Sequence, residues 1–346
     1  MNTFFLQTYT WNPWQNLAVE KYLSDQIHKG DVTLYLWQND HTVVIGKNQN
    51  ALRECKAGLL EKEGGFLARR TTGGGAVYHD LGNLCFTFLA DPELYDLEKQ
   101  LSVIQNACRK FGIETFRSGR NDLITADGFK FSGNAFSKTA SCSIQHGTLM
   151  LDVDKSMLER YLIPSVEKLK SKGVKSVRSR VCNLKELNPA VTIEAMRLAL
   201  QESFEEIYGS FTELDPKILE NDAVRATRDL YASWDWRYGK SPSCETSFQK
   251  RFDWGEIQIY LKLDSLQITE IQIFSDALDT ELPALLEQLL RGRRFDETVL
   301  QQLLLPTVQS TDSSAETAAA TSNHCSESQK EMIAQVVRWL ISCLEN

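Results

Sequence analysis

The sequence predicts an α+β fold in which a mixed, largely antiparallel sheet is flanked by helices, with a small α+β accessory domain after it. Strand-like runs occur in neighbouring pairs with helices interspersed, whereas a parallel α/β fold would alternate strand and helix strictly. The chain has 346 residues, enough for one large domain with a smaller companion. Hydrophobic residues make up 42% and charged residues 24%, which is ordinary for a globular protein with a buried core.

Two helices have clear start signals. Asn12 followed by Pro13 is typical of an N-cap and the first helical position, so a helix is predicted over Trp14–Ile27. Thr192 is followed by Glu194, an acidic residue in the first helical turn, and this pattern predicts a helix from Thr192 to Tyr208. Hydrophobic periodicity predicts the other elements of this part of the chain. They are strands at Thr33–Trp37, Thr42–Ile45, Phe66–Ala68 and Leu84–Leu89, and helices at Leu101–Phe111 and Lys155–Leu162.

The chain is expected to form two domains, residues 1–245 and 246–346. Tyr238–Pro242 has the composition of a linker between them. Residues 307–328 are rich in Ser, Thr and Ala and have almost no large apolar side chain, so this segment is expected to be mobile. The elements predicted for the second domain are strands at Phe252–Leu263 and Ile268–Phe274, and helices at Pro283–Leu290, Glu297–Leu304 and Glu331–Leu344.

Composition excludes several classes of protein. A net charge of −8 argues against a general nucleic-acid surface. No apolar run reaches the roughly 18 residues that a membrane span needs, and the N-terminus lacks a signal-peptide pattern, so a cytoplasmic protein with no membrane partner is expected. The eight cysteines include no Cys-x-x-Cys pair, which favours reduced thiols. The basic stretch Lys168–Arg180 is either a solvated face or the site of an acidic partner or a triphosphate.

The run Arg69-Arg70-Thr71-Thr72-Gly73-Gly74-Gly75 is the most informative motif. Three glycines allow the backbone to approach a ligand closely, and their N–H groups can form a nest for an anion. The two arginines before them match phosphate or carboxylate geometry. Neither a Walker loop nor a dinucleotide fingerprint has this spacing. An exposed, flexible hairpin is the alternative, but the predicted strands on either side favour a binding loop for a phosphate-bearing small molecule.

A second candidate site lies on a predicted hairpin from Leu123 to Gly133. A three-residue loop at 126–128, with Gly128 in the left-handed region, would put Asp122 on the Lys130 face, together with Ser132, and turn Phe129 and Phe131 inward. A two-residue Asp-Gly turn would put Asp122 on the opposite face; the pattern leaves both open. Lys130 is either edge protection or a charge aimed at a shared anion. Asp122 is either a turn residue or a magnesium ligand.

These motifs together resemble the lipoate–protein ligase A family. The similar segments follow the family order, and the similarity runs from Asn16 to about Trp254, so it covers the predicted first domain; the second domain is similar more loosely. They are Arg69 to Asn83, Gly119 to Leu123, Lys130 to Ala135, His146 to Leu149 and Ser176 to Val181.

The resemblance implies a fold shared with biotin ligases and a two-step reaction. Lipoate and ATP with Mg²⁺ first give lipoyl-AMP and pyrophosphate. The lipoyl group then passes to a lysine of an acceptor domain, in the E2 component of 2-oxoacid dehydrogenase complexes or in the glycine cleavage H protein. It implies that Arg70, Gly75, Ala76, Val77 and Tyr78 bind ATP or the adenylate. It also implies that Lys130 is the catalytic lysine that contacts both ATP and lipoate.

Two other functions remain possible for such a fold. An octanoyl or lipoyl transferase would use a cysteine nucleophile and no ATP. Cys142 lies close before His146, but Ser143 occupies the position three before that histidine, where one transferase branch has its cysteine. A non-catalytic lipoate-binding protein would keep the pocket without turnover.

Overall fold

The computed structural model describes residues 1–119, 121–163, 181–239, 246–264, 266–304 and 325–344. It divides into two compact units. The first unit comprises Met1–Lys47 and Ala51–Gly239, and the second comprises Asn48–Asn50 and Lys240–Asn346. The sequence did not predict that the short segment Asn48–Asn50 belongs to the second unit. The basic stretch Lys168–Arg180 lies outside the described residues.

The first unit is built on a large mixed sheet and a small second sheet. In the large sheet β1 runs parallel to both of its neighbours, and the other pairings are antiparallel, which confirms the predicted fold class. The strands are β1 (Asn2–Gln7), β2 (Asp31–Trp37), β3 (Thr42–Ile45), β4 (Phe66–Arg69), β5 (Val77–His79), β6 (Asn83–Ala90), β7 (Thr115–Ser118), β8 (Asp122–Thr125), β9 (Lys130–Lys138), β10 (Ser143–Met150) and β11 (Thr212–Glu213). The large sheet has the order β11-β1-β2-β6-β10-β9-β8-β7, and the small sheet has the order β4-β3-β5.

The helices of the first unit cover both faces of the large sheet. One face packs on α4 and α6 around Phe86, Phe88 and Phe204, and the opposite face packs on α1 and α7 around Tyr35 and Trp37. The alternation along each strand thus supplies two cores at once. The helices are α1 (Pro13–Asp25), α2 (Ala51–Glu54), α3 (Ala57–Lys62), α4 (Leu97–Arg109), α5 (Lys155–Tyr161), α6 (Ile193–Tyr208), α7 (Asp222–Ala232) and α8 (Trp234–Tyr238).

Local caps explain which helix boundaries the sequence predicts. Asn12 accepts a hydrogen bond from the backbone N–H of Gln15, and Thr192 accepts one from Ala195, as their positions predict. The α4 helix begins four residues before the predicted Leu101 because Asp96 caps it. Helices α2, α3, α7 and α8 were not predicted from the sequence.

The second unit has a three-stranded antiparallel sheet packed against helices. The prediction of one strand over Phe252–Leu263 is wrong, because a turn at residues 253–254 separates two strands there. The last helix begins at Glu327 and not at Glu331, and most of the segment predicted to be mobile lies outside the described residues. The elements are β12 (Thr246–Phe252), β13 (Gly255–Asp264), β14 (Gln267–Ser275), α9 (Leu282–Leu290), α10 (Glu297–Gln302) and α11 (Glu327–Leu344).

Candidate active site

The glycine loop, defined as residues 70–76, connects two strands of the small sheet. The sequence predicts that the strand leaving the loop begins at Leu84; instead the short strand β5 follows, and both β4 and β5 pair with β3. Gly74 has φ +91°, a conformation that side chains rarely adopt. A Cβ on Gly46 would lie 2.3 Å from the Gly74 carbonyl oxygen. The loop is therefore folded tightly onto the end of β3.

Arg70 lies inside this loop. Its side chain is buried, and its Nη2 donates to the carbonyls of Gly73 at 2.7 Å and Gly75 at 2.9 Å. Its Nε donates to the Thr72 hydroxyl at 3.1 Å. Burial lowers the pKa of Arg70 to about 10, so the guanidinium stays charged at neutral pH. These contacts give Arg70 a role in shaping the loop, and its predicted contact with ATP stays a prediction.

Arg69 is held by backbone carbonyls. Its Nε donates to the Trp236 carbonyl at 2.9 Å, and its Nη2 donates to that of Arg237 at 2.7 Å, so this guanidinium ties the end of β4 to α8. The sequence indicated that both arginines face an anion; sequence spacing does not show which backbone carbonyls will be within reach of a guanidinium.

A buried polar chain connects the loop to the large sheet. The Thr72 hydroxyl lies 2.7 Å from Nε2 of His146, and Nδ1 of that histidine lies 2.8 Å from Oε2 of Glu20. The same carboxylate oxygen accepts a hydrogen bond from Thr87 at 2.7 Å, and the Trp37 indole donates to the Thr87 hydroxyl at 3.0 Å. We name these five residues the Thr72–Trp37 chain. The sequence gave no sign of the contact between His146 and Glu20, because the two residues lie 126 positions apart.

The strand register places Lys130 on the face of the large sheet that carries the Thr72–Trp37 chain. His146 is paired with Thr87 on one side and Ala135 on the other, and paired residues share a face. Gly133 lies two residues before Ala135 on β9 and is therefore on the same face. Gly133 is paired with Asp122, and Lys130 is paired with Ile124, which is two residues beyond Asp122 on β8. The glycine loop, which Thr72 joins to His146, and Lys130 thus lie over the same face of the large sheet.

Lys130 and Asp122 form an ion pair there. Nζ lies 2.6 Å from Oδ1, and the two side chains are 25% and 15% exposed. Gly133 makes room for the ammonium group, because a Cβ at that position would lie 2.9 Å from Nζ. A small residue is therefore needed at position 133, beside the end of the Lys130 side chain.

The hairpin has the first of the two predicted registers, with one difference. Gly128 has φ +82° and its N–H donates to the Thr125 carbonyl, as a three-residue loop requires. The ladder shifts between Leu123 and Ile124. Phe129 is 45% exposed whereas Phe131 is buried, so the expectation that both phenylalanines face inward is wrong. The bulge removes Ser132 from the Lys130 face.

His79 is neutral and buried next to the loop. Its Nδ1 lies 3.1 Å from the amide nitrogen of Asn39, whose oxygen in turn accepts from Asn16, so Nδ1 accepts and Nε2 carries the proton. Burial lowers the pKa of His79 to about 3, and the neighbouring charge of Arg70 adds to this effect. The other predicted nucleotide residues differ in exposure. Tyr78 is buried, whereas Gly75, Ala76 and Val77 lie partly at the surface.

Asp122 and Cys142 are the candidate residues for metal and thiol chemistry. Within the described ranges, no group of three His, Cys, Asp or Glu side chains could hold a metal ion by itself. Asp122 would therefore meet Mg²⁺ only together with oxygens from another source, such as phosphates. Cys142 is buried, and this burial raises the pKa of its thiol to about 12, so it is not a ready thiolate.

Comparison with known proteins identifies the family. Residues 12–205 match the model of the lipoyl protein ligase A/B catalytic domain, and residues 241–320 match that of the bacterial lipoate protein ligase C-terminus. The chain belongs to the lipoyl protein ligase A/B family. A lipoate-protein ligase A of Psychrobacter cryohalolentis is 42% identical over 306 residues, which are 86% of this chain and 90% of the relative.

Solved structures of this ligase family have a similar fold. P. falciparum LipL1, in complex with lipoate, has a TM-score of 0.81 and 28% identity, and the match covers 99% of this chain and all of that one. A bipartite Thermoplasma acidophilum ligase, described with its E2 lipoyl domain, has a TM-score of 0.61 and 28% identity over 70% of this chain and 99% of its own. A lipoate-protein ligase A bound with ATP has a TM-score of 0.59 and 26% identity over 69% and 99%.

Proposed function

We propose that this chain is an ATP-dependent lipoate–protein ligase. It activates lipoate as lipoyl-AMP with release of pyrophosphate and then transfers the lipoyl group to a lysine of an acceptor domain. One observation carries the proposal: Lys130 and the glycine loop lie over the same face of the large sheet. The ATP and lipoate complexes of its structural neighbours support the same pair of substrates.

In the first step, a lipoate carboxylate oxygen attacks the α-phosphorus of ATP, and the bond from that phosphorus to the bridging oxygen of pyrophosphate breaks. Two anions must meet, so a cation that contacts both reduces their repulsion and orients them. Lys130 supplies this cation on a rigid strand. Its Nζ exchanges the Asp122 carboxylate at 2.6 Å for the substrate oxygens while it stays beside Gly133.

The glycine loop holds the nucleotide in this proposal. The partly exposed backbone of Gly75, Ala76 and Val77 contacts the phosphates or the adenylate, and the buried Tyr78 anchors the end of the loop. Arg70 contributes its charge from beneath the loop and fixes the loop carbonyls. ATP enters as the magnesium complex, and Asp122, once released by Lys130, is placed to accept Mg²⁺ that phosphate oxygens also bind.

In the second step, the neutral amine of an acceptor lysine attacks the lipoyl carbonyl carbon. The bond from that carbon to the AMP phosphate oxygen breaks, an amide forms, and the amine loses a proton to solvent. The acceptors are lipoyl domains, such as the E2 domain described with the archaeal neighbour. We extend this proposal to 2-oxoacid dehydrogenase E2 components and the glycine cleavage H protein.

The two domains divide the work in this proposal. Residues 1–245 carry the substrates, and residues 246–346 form the accessory domain.

We also propose a cytoplasmic location. Among the residues that the structure describes, no helix is long and apolar enough to cross a bilayer.

The test is pyrophosphate release from MgATP by the purified chain without any acceptor. We expect release that depends on lipoate, and Lys130→Ala is expected to lower its rate about 100-fold or more because a contact formed in the transition state is lost. The Lys130→Ala chain should stay folded, since the lysine is partly exposed. A folded Lys130→Ala variant with turnover near that of the wild type would refute the assignment of Lys130.

A further inference from the structure

The aromatic brace, which we define as His41, Tyr78 and Tyr161, lies behind the glycine loop. The Tyr78 and Tyr161 rings stack with their centroids 5.7 Å apart and 30° between their planes. The His41 ring lies 5.3 Å from that of Tyr161 and 6.3 Å from that of Tyr78. The three rings thus form a triangle of mutual contacts, in which both tyrosines are buried and His41 is partly exposed.

Polar contacts on both sides fix the direction of the Tyr161 ring. Its hydroxyl donates to Oε2 of Glu63 at 2.5 Å and accepts from Nε2 of His41 at 2.9 Å. Glu63 in turn accepts from Nε of Arg160 at 2.8 Å. The hydrogen bond from Arg160, followed by that from Tyr161, lowers the pKa of Glu63 to about 2, so the acceptor stays ionised at neutral pH. A ring held only by apolar packing would not need these partners.

Tyr78 lies on an edge strand of the small sheet. Strand β5 contains three residues and, within the part of the chain that the structure describes, is paired with β3 alone. His41 has a left-handed φ of +43°, uncommon for a residue with a side chain, and its ring contacts both tyrosines in this conformation. The position of Tyr78, and with it the end of the glycine loop, therefore depends on the rings behind it.

We propose that Tyr161 is a positioning residue for the nucleotide half of the reaction, acting through Tyr78. Its ring sets the position of Tyr78 and thus of the Gly75–Val77 backbone that meets the phosphates. This inference rests on the proposed nucleotide role of the loop. No motif pointed to Tyr161, which ends α5 and lies 83 positions after Tyr78 in the chain.

The experiment compares Tyr161→Leu with Tyr161→Phe. Loss of the stacked ring is expected to raise the KM and the Kd for ATP about 2- to 12-fold, the range that an aromatic pair supplies, and to leave the KM for lipoate within about twofold. Tyr161→Phe keeps the ring and is expected to restore the ATP constants to within about threefold of the wild type.

Phe204→Leu is the matched control for lost packing. Phe204 is also a fully buried aromatic residue with aromatic neighbours, Phe88 and Tyr208, but it lies on the opposite face of the large sheet. It should lower stability without changing the KM for ATP. If Phe204→Leu raises this KM as much as Tyr161→Leu does, or if Tyr161→Leu raises both substrate KM values equally, the positioning role is refuted.

Two further measurements keep the test decisive. If Tyr161→Leu does not fold, His41→Asn removes a second ring of the brace, and asparagine tolerates the left-handed backbone. We expect it to raise the ATP KM about twofold or more, and an unchanged value would overturn the proposal. Equilibrium binding of ATP separates the two proposals. A wild type that binds ATP without lipoate-dependent pyrophosphate release contradicts only the proposed reaction, while the binding constants of the Tyr161 variants still test the brace.

Discussion

Gly133→Ala tests whether the position of Lys130 matters as well as its charge. The new methyl carbon would lie 2.9 Å from Nζ and 3.2 Å from Cε of Lys130, whereas ordinary contacts begin at 3.4 Å. The contacted atoms are the end of a flexible side chain, so the lysine must move by about 0.5 Å or more and β9 can stay in place. A misplacement of about 1 Å can cost about 100-fold in rate, so we expect the lipoate-dependent turnover to fall about 10- to 100-fold.

The assay is pyrophosphate release at saturating ATP and lipoate, with urea unfolding of the same variant measured in parallel. The free energy of unfolding should change by less than about 1 kcal/mol, because no backbone atom blocks the methyl group. Gly58→Ala is the matched control. Gly58 lies in α3 with open space around its Cβ position, so this variant should keep full activity and gain up to about 1 kcal/mol of stability. Normal turnover in Gly133→Ala would refute the reasoning, and a loss of several kcal/mol would show that the strand itself is disturbed.

Two further predictions concern buried titratable groups. Cys142→Ser should keep lipoate-dependent pyrophosphate release and acceptor lipoylation, because a buried thiol with a pKa of about 12 is no nucleophile at neutral pH; loss of acyl transfer alone, with the fold intact, would favour the transferase alternative. The pKa of His79 is about 3 in the folded chain and about 6.5 when unfolded, so the unfolded state binds more protons between these values. Stability should therefore fall by up to about 1.4 kcal/mol per unit as pH drops below about 6.5, and urea unfolding of His79→Gln between pH 7.5 and 5 should have a shallower dependence; parallel curves for the two proteins would contradict the buried neutral state.

Local signals were the part of the fold that sequence could predict. Asn12 and Thr192 cap their helices through contacts three residues away, so their effect is visible in a short window. Gly128 marks its turn for the same reason. Strand β5 was missed because three residues are too few to establish a period. The turn at residues 253–254 was missed because its two central residues are Asp and Trp, and the Gly255 that follows them is already part of β13.

The candidate site was predictable only in its separate pieces. The sequence indicated the glycine loop and Lys130, but their common face follows from a register that spans four strands. The bulge that separates Ser132 from Lys130 depends on how β8 and β9 pair. The residue types along β9 do not show where this ladder shifts. The Thr72–His146–Glu20 contacts join three distant segments and leave no pattern within any of them.

Arg70 illustrates why residue type alone does not give a role. An arginine beside a glycine loop suggests an anion ligand, yet its guanidinium donates to the carbonyls of Gly73 and Gly75 within that loop. Those bonds point the Gly73 and Gly75 carbonyl oxygens toward the guanidinium. With a pKa of about 10 the guanidinium remains charged under the loop at neutral pH, so it adds positive potential where phosphate would bind even without direct contact. Lysine could supply the charge but not donors in three directions. Nε of Arg70 donates to the Thr72 hydroxyl, Nη1 donates to the Val44 carbonyl, and Nη2 donates to both loop carbonyls, so the guanidinium geometry matters here as much as the charge.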